Sequence, residues 1–274
     1  MVNTTRKIRW LLEHLGFNMQ DFYLTRRTKN AAVVDLIHKL SPQDCGVDLI
    51  RVGSKGDGGY LIPDDLQGIE YCFSPGVSKV SDFENQLADL HIKSFLADYS
   101  VEEPPIMRPE FTFDKKFLGS YDRGKFMTLA AWKNRYINDY SGDMILQMDI
   151  EGCEYEVILS TPDSLLDQFR IMTIEFHHLN NLFDPFAFRI FSACFEKLLQ
   201  HFHVAHIHPN NFRGSVKFGE IEIPEVMEFT FYNKRRVTTA KPQRIFPHRL
   251  DIENKTSYPS MPLPKCWYSS SQGI

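Results

Sequence analysis

The sequence has little of what marks a secreted or membrane protein. Its five cysteines are scattered, odd in number and form no Cys-x-x-Cys pair: Cys45, Cys72, Cys153, Cys194 and Cys266. Such cysteines are typical of reduced thiols in a cytosolic protein. No apolar run approaches the ~18–20 residues that a membrane span needs, and the N-terminal stretch has no signal-peptide core. We therefore expect a cytoplasmic protein without a transmembrane segment.

An excess of basic charge is also missing. The 274 residues carry 31 Lys and Arg against 35 Asp and Glu, a net charge of −4. This balance lacks the positive field that nonspecific duplex binding needs, so we expect no nucleic-acid partner. A composition with 43% apolar residues and 22 phenylalanines excludes a disordered, collagen-like or coiled-coil protein. The sequence therefore predicts a globular fold.

The N-terminal region is predicted to be helical. Apolar residues recur every three and four positions over residues 4–40, and the pattern ends at Ser41 and Pro42. Residues 4–27 are also rich in Arg and Lys. Attachment to a membrane surface or a partner is therefore an alternative to an amphipathic helix that caps the domain.

From residue 49 the pattern changes to short apolar runs separated by helix-length segments. A glycine turn joins two short strands over 48–63, and further strands are predicted at 69–73, 92–96, 111–113, 143–148, 171–176, 202–207 and 226–232. Helices are predicted over 83–90, 128–138, 155–159 and 186–200. This alternation is typical of βαβ units and a mostly parallel sheet covered on both faces.

The ends of the chain differ from this α/β pattern. A loop without helical periodicity joins the last two apolar runs, which predicts an antiparallel pair at the end of the sheet. Residues 239–274 contain five prolines and no periodicity, which predicts an extended tail. We expect a helical extension over 1–45, one α/β domain over 46–238, and a tail over 239–274 that packs on it.

Polar residues follow the predicted strands, where ligands bind in doubly wound sheets. A turn at Ser74–Ser78 has one glycine of the three in a G-x-G-x-x-G fingerprint, and a plain strand–helix turn is the alternative. Asp98 ends the next strand, where an acid can accept hydrogen bonds from ribose hydroxyls. The alternative is that Asp98 caps a helix or lies in a solvated loop. Together these features point to a cofactor that contains a nucleoside.

Two carboxylates, Asp149 and Glu151, follow the strand at 143–148. Carboxylates so close raise one another's pKa or share a cation. For Glu154 and Glu156 the alternative is an ordinary acidic first turn of the next helix, where negative charge interacts favourably with the helix dipole. That interpretation is less satisfactory for Asp149, which directly continues the apolar run.

Histidines are concentrated in one region of the chain. Six of the ten lie between residues 177 and 208: His177, His178, His201, His203, His206 and His208. Because histidine is a base near neutral pH and a common metal ligand, we expect His177 or His208 in an active site, with structural histidines as the alternative. We expect no metal, since no tight ligand spacing is present. If one binds, its ligands are expected to be Asp149, Glu175 and His208.

Several motifs together resemble one family. The segment Asp149-Ile-Glu-Gly-Cys-Glu resembles the D-I-E-G-x-E block of FkbM-type S-adenosylmethionine-dependent methyltransferases. Four further segments resemble the branch of that family that includes the methyltransferase-like 24 proteins: Arg51–Tyr60, Tyr71–Glu84, Ile174–His177, and His208–Asn211 with Ile223–Thr230. The resemblance covers roughly residues 49–233. It departs from the family at Ser74-Pro75-Gly76, where an acidic residue and paired glycines are usual.

The resemblance implies a Rossmann-like class I methyltransferase with a mostly parallel seven-stranded sheet, strand order 3-2-1-4-5-7-6, and an antiparallel last strand. It implies S-adenosylmethionine as cofactor and a hydroxyl of a sugar, glycan precursor or secondary metabolite as acceptor. The residues expected to bind the cofactor are Asp57, Gly58, Gly59, Tyr60, Ser74, Gly76, Val77, Ser78, Glu84, Asp98, Tyr99 and Asp149.

The same resemblance suggests catalytic roles. We expect His177 to be the general base, His208 to be the next candidate, and Asp149 to be the orienting carboxylate. Asn210 and Asn211 are expected to hydrogen-bond the acceptor. An NAD-type Rossmann oxidoreductase and an inactive methyltransferase-like binding module are the alternatives, and whether the chain forms a homodimer is left open.

Overall fold

The computed structural model describes residues 26–269 together with Lys7 and Trp10. The helical prediction over residues 4–25 therefore lies almost wholly outside the described residues. The second part of that prediction is confirmed by helix α1, Asn30–Lys39, which buries Val33, Leu36 and Ile37.

A seven-stranded sheet forms the centre of the fold, in the order β11-β14-β10-β9-β4-β5-β6. Its strands are β4 (Tyr71–Pro75), β5 (Lys93–Ala97), β6 (Phe111–Asp114), β9 (Met144–Met148), β10 (Phe169–Phe176), β11 (Phe202–Pro209) and β14 (Met227–Asn233). Strands β6, β5, β4, β9 and β10 are parallel to their neighbours in that row. Strand β14 lies between β10 and β11 and runs antiparallel to both. The predicted mostly parallel α/β sheet is confirmed.

Helices cover both faces of this sheet, which explains why its strands read as continuous apolar runs. They are α2 (Asp82–Asp89), α3 (Leu129–Ile137), α4 (Glu154–Ser160), α5 (Asp163–Leu166) and α6 (Pro185–His201). Side chains fix two of the helix starts. Thr128 Oγ1 accepts the backbone N–H of Ala131 at 3.1 Å, and Asp184 Oδ1 accepts those of Phe186 and Ala187 at 2.9 Å.

Among the described residues, four smaller strand pairs lie around the sheet. They are β2 (Leu49–Gly53) with β3 (Gly59–Pro63), β7 (Phe117–Leu118) with β8 (Phe126–Met127), β12 (Ser215–Phe218) with β13 (Ile221–Pro224), and β1 (Gln43–Asp44) with β15 (Lys241–Pro242). The β2–β3 hairpin and the β7–β8 pair flank the carboxyl ends of the parallel strands and contribute residues to the cavities described below.

The C-terminal segment, residues 239–269, lies against the sheet. Trp267 is fully buried, with its ring centroid 6.0 Å from that of Phe229 on β14, and its Nε1–H donates to Glu222 O at 3.0 Å. Asn211 donates to Lys255 O at 2.8 Å. These contacts bring the segment to the edge of the sheet where the parallel strands end. None of the described helices is long and apolar enough to cross a membrane.

Candidate functional site

The carboxyl ends of β4 and β9 mark the point at which strand order reverses, the usual ligand site of such sheets. Gly76 follows β4 with φ +92°, and a Cβ on it would lie 1.5 Å from Asp149 O. Only glycine fits this close approach of two backbones. The glycine turn therefore brings the loop after β4 directly against the loop after β9.

Asp98, at the end of β5, is fixed by the loop after Gly76. Its Oδ2 accepts the backbone N–H of Ser78 at 2.8 Å, and its Oδ1 accepts the N–H and hydroxyl of Ser100, both at 2.7 Å. Asp98 is 5% exposed. The carboxylate is thus held rigidly at the wall of a cavity, with lone pairs left to accept further hydrogen bonds.

That cavity, called cavity A, has a volume of about 430 Å³, within the usual range for small-molecule sites. Its lining is mainly apolar and includes the Asp98 and Asp149 carboxyl groups. Its lining residues are Gly76, Ser78, Ala97, Asp98, Ser100, Phe117, Leu118, Phe126, Asp149, Ile150, Glu151 and Cys153. An apolar slot beside a fixed carboxylate suits a flat ring attached to a sugar.

A second cavity, cavity B, adjoins cavity A through residues that line both, among them Gly76, Ser78, Asp149 and Glu151. Its volume is about 290 Å³ and its lining is mostly polar. The residues that line only this cavity are Asp57, Gly58, Tyr60, Val77, Lys79, Val80, Asp82, Phe83, Glu84, Gln147 and Lys255. Lys255, from the C-terminal segment, lies 3.0 Å from Asp57 Oδ2.

A buried hydrogen-bond network forms the floor of cavity B. Ser74 Oγ contacts Glu84 Oε1 and lies 2.7 Å from Gln147 Oε1, and Gln147 Nε2 donates to the Tyr60 hydroxyl at 3.1 Å. Burial raises the pKa of Glu84 to about 7. One serine hydroxyl carries one proton, so when it donates to Gln147 the Glu84 carboxyl must itself be protonated to donate.

The main group of charged residues surrounds His177, after β10. Its Nε2 lies 3.8 Å from Asp149 Oδ1, 3.5 Å from Glu151 Oε2 and 3.7 Å from Glu175 Oε1. These distances are too long for hydrogen bonds. The backbone turn contributes to this arrangement, since Glu151 has an unusual φ of +56°. The structure therefore confines one imidazole nitrogen among three carboxylates.

The other nitrogen of His177 is hydrogen-bonded. Its Nδ1 lies 3.0 Å from Oε1 of Glu154, which is fully buried at the start of α4. Burial lowers the pKa of His177, but the hydrogen bond to Glu154 and the surrounding carboxylates outweigh it, and the pKa is raised. Burial raises the pKa of Asp149 to about 7, opposed by His177 and reinforced by Glu151.

Two more buried carboxyls continue this row across the sheet. Glu175 on β10 pairs in register with Glu228 on β14. Asn210 Nδ2 donates to Glu175 Oε1 at 3.1 Å, and Asn254 Nδ2 donates to Glu228 Oε1 at 2.6 Å. Burial raises the pKa of Glu175 well above its usual value and that of Glu228 to about 8. Burial therefore favours the protonated form of both carboxyls.

Several predicted residues lie elsewhere. His208 lines a separate cavity beside Asp251 of the C-terminal segment, and burial lowers its pKa. Asn211 holds that segment, as described above. Tyr99 is 43% exposed, with its ring centroid 5.4 Å from that of Phe117. Gly59 begins β3, where a Cβ would lie 2.0 Å from Ser54 O.

Two groups of side chains have the composition and spacing of metal ligands among the described residues. Asp149, Glu151 and His177 form one, and His206, His208 and Asp251 form the other. The ligand set expected from the sequence is therefore divided in the structure. Asp149 and Glu175 face His177, whereas His208 belongs to the second group.

Three residues of the site are not among those expected from the sequence: Gln147, Glu228 and Lys255. Glu154 is expected only as an acid in the first turn of a helix. An alternating polar position within the apolar run 143–148 is a signal for Gln147. Glu228 lies in the segment Ile223–Thr230, which resembles a family motif. No local signal identifies Lys255. Only the folded chain brings residue 255 against residue 57.

The mostly parallel α/β sheet is consistent with a Rossmann-like fold, and two cavities adjoin each other at its switch point. Within the chain, residues 105–209 match the model of the methyltransferase FkbM domain. This match confirms the resemblance at the level of the FkbM methyltransferase family over that segment. The matched residues include Asp149, Glu175 and His177 but not Gly76 or Asp98. A search of the curated proteins returns no match to the chain.

Proposed function

We propose that this protein is an S-adenosylmethionine-dependent O-methyltransferase that acts on a hydroxyl of a sugar, glycan precursor or secondary metabolite. The observation that carries the proposal is the convergence of Asp98, Gly76 and Asp149 on two adjoining cavities, with His177 Nε2 3.8 Å from Asp149 Oδ1. The match of residues 105–209 to the methyltransferase FkbM domain supports the reaction class, methyl transfer. The motifs shared with the methyltransferase-like 24 branch support assignment to that branch.

The residues of cavity A fit the nucleoside of the cofactor. Asp98 accepts the ribose hydroxyls, and Phe117, Leu118 and Ile150 enclose the adenine. A Cβ at residue 76 would lie 1.5 Å from Asp149 O, so glycine is needed for the loops after β4 and β9 to meet between the two cavities. In cavity B, Lys79 and Lys255 suit the carboxylate of the methionine moiety.

Bound in this way, S-adenosylmethionine supplies a methyl group on a positively charged sulfur. The protein's part is to align the acceptor oxygen and to remove its proton. Asp149 lines both cavities and contacts the acceptor, while His177 Nε2 lies behind it at 3.8 Å. We assign proton removal to this pair, with His177 as the base. The surrounding carboxylates stabilise the imidazolium that forms.

The lining of cavity B supports a hydroxyl-rich acceptor. The side chains of cavity B are mainly carboxylates, lysines, an amide and a phenol, which donate and accept hydrogen bonds with hydroxyls. Asn210, expected from the sequence to bind the acceptor, uses its amide on Glu175 and Phe212. We propose that it positions Glu175 in the wall behind His177.

Calorimetry with S-adenosylhomocysteine tests cofactor binding. We expect the wild-type protein to bind it, and Asp98→Ala to weaken binding at least about tenfold through lost ribose hydrogen bonds. Asp98→Asn keeps the side-chain shape and separates loss of charge from loss of the loop contacts. The control is Asp35→Ala, whose carboxylate is 67% exposed on α1.

Turnover is measured as methyl transfer to a panel of sugars, glycan precursors and hydroxylated metabolites. His177→Ala should lower the rate by about 10²–10⁴-fold while leaving S-adenosylhomocysteine affinity nearly unchanged. His203→Ala, on β11, is the control. A folded protein that binds NAD but not S-adenosylhomocysteine in a thermal-shift assay supports the oxidoreductase alternative. Binding of neither supports the inactive-module alternative.

A further inference from the structure

A second group of chemistry-bearing residues lies outside the proposed methyl-transfer site. His206 and His208 are two apart on β11 and therefore share one face of the sheet. Asp251 reaches them from the C-terminal segment, and one ligand atom from each of the three lies within 4.8 Å of the others. His206 Nε2 is 2.8 Å and His208 Nδ1 is 3.7 Å from Asp251 Oδ1.

A small cavity of about 110 Å³ adjoins this group. His208, His248, Asp251 and Glu253 line it, and it has room for an ion with a bound water. Two buried atoms at this cavity have no hydrogen-bond partner among the described residues: His208 Nε2 and Glu253 Oε2. His208 is 7% exposed, so its unpaired Nε2 carries a desolvation cost. A cation bound to Nε2 would relieve this cost, and so would a water at Nε2 when the cation binds Nδ1.

We propose that His206, His208 and Asp251 bind a Zn²⁺ ion, with Glu253 or water completing the coordination. The donor set decides the choice of metal. Two imidazoles with carboxylate oxygen suit zinc, whereas Mg²⁺ and Ca²⁺ prefer oxygen ligands alone. Two carboxylates and two neutral imidazoles also balance the charge of a divalent ion. The ligand atoms are already close together, so small side-chain movements bring them to zinc distances.

The position of this site gives it a structural consequence. Asp251 precedes Asn254, which donates to Glu228, and Lys255, which lines cavity B. The backbone O of Asn254 also accepts the N–H of Asp57 at 3.3 Å. A zinc ion that joins β11 to residue 251 therefore anchors the segment that closes cavity B. The inference does not depend on methyl transfer, because metal binding and methyl transfer are measured separately.

The test uses the full chain, stripped with a chelator and titrated with Zn²⁺ alone. We expect one equivalent to bind and to raise the melting temperature, with Zn²⁺ binding far more tightly than Mg²⁺. Co²⁺ should give the visible absorption of a four-coordinate site without the thiolate charge-transfer band that binding to cysteine would add.

Variants assign the ligands. His208→Gln and Asp251→Asn should each weaken Zn²⁺ binding at least about tenfold. His203→Gln, on the same strand, should bind like the wild type. Asp251→Asn keeps the shape of the His206 contact, and circular dichroism verifies that each variant is folded. Absence of stoichiometric Zn²⁺ binding by the wild type, or binding that both ligand variants retain, overturns the proposal.

Discussion

Glu154 Oε1 lies 3.0 Å from Nδ1 of His177, and both side chains are buried. The same oxygen accepts the backbone N–H groups of Gly152 and Ile150 at 3.0 and 3.3 Å. One carboxylate thus caps the turn that carries Glu151 and fixes the orientation of the imidazole. With Nδ1 holding the proton toward Glu154, Nε2 is the nitrogen free to act as a base.

The first prediction concerns this contact. Glu154→Gln removes the charge and weakens the hydrogen bond that raise the pKa of His177, so that pKa should fall. Because the neutral imidazole is the base, the acid limb of the kcat/KM profile should move to lower pH. Glu156→Gln, exposed on the same helix, is the control. An unchanged profile in Glu154→Gln would argue against His177 as the base.

The second prediction concerns the glycine turn. Gly76→Ala should abolish S-adenosylhomocysteine binding and destabilise the protein, because its Cβ would meet Asp149 O at 1.5 Å. Gly124→Ala shares the positive φ, at +60°, but its Cβ meets nothing within 4 Å. Gly124→Ala should lower the free energy of unfolding by about 1–2 kcal/mol through backbone strain alone, and it should leave S-adenosylhomocysteine binding intact. Equal losses in both variants would contradict the close-approach argument.

The third prediction concerns pH and stability. The pKa of Glu84 rises from 4.5 to about 7 on folding, so the folded state holds this proton more tightly. Its contribution to the free energy of unfolding is complete below about pH 4.5 and is lost as pH rises to about 7. The loss amounts to about 3 kcal/mol.

Glu84→Gln should therefore flatten the decline in stability over that interval, measured by urea unfolding at a series of pH values. Exposed Glu220→Gln provides the comparison, and its stability should follow the wild-type curve. If Glu84→Gln keeps the full wild-type decline, Glu84 is not the responsible group.

The fourth prediction concerns the opposite edge of the sheet. Arg170 is 6% exposed, and its guanidinium donates to Asp143 Oδ2 at 2.8 Å and to the backbone O of Asp65 and Gln67 at 2.9 and 2.8 Å. Arg170→Met leaves these acceptors unpaired. We expect it to lower the free energy of unfolding, measured with denaturant, by about 3–5 kcal/mol.

Arg123→Met, at an exposed position, should change stability by less than about 0.5 kcal/mol. If Arg170→Met lowers the free energy of unfolding by no more than Arg123→Met does, water replaces the lost contacts. Because Arg170 lies at the start of β10, the folded variant should keep its affinity for S-adenosylhomocysteine.

Much of the sheet could be predicted from the sequence because hydrophobic periodicity is a local property. The apolar runs at 143–148 and 171–176 correspond to β9 and β10, and helix-length segments correspond to α3 and α6. Helix α5 was not predicted, since four residues are too few to show a period. Parallel strands end at one edge, so the nearness of Asp149 and His177 also follows from the pattern.

Tertiary structure alone decided which polar groups meet. The sequence identifies His208 as a strand-end histidine like His177, but β14 separates β10 from β11, and the C-terminal segment brings Asp251 to His208 instead. Glu154 contacts His177 because α4 begins beside the end of β10. The sequence thus determined the strands, helices and reacting residue types, through local periodicity and side-chain chemistry. Pairings over long separations depend on how the packed elements face one another, which no local pattern encodes.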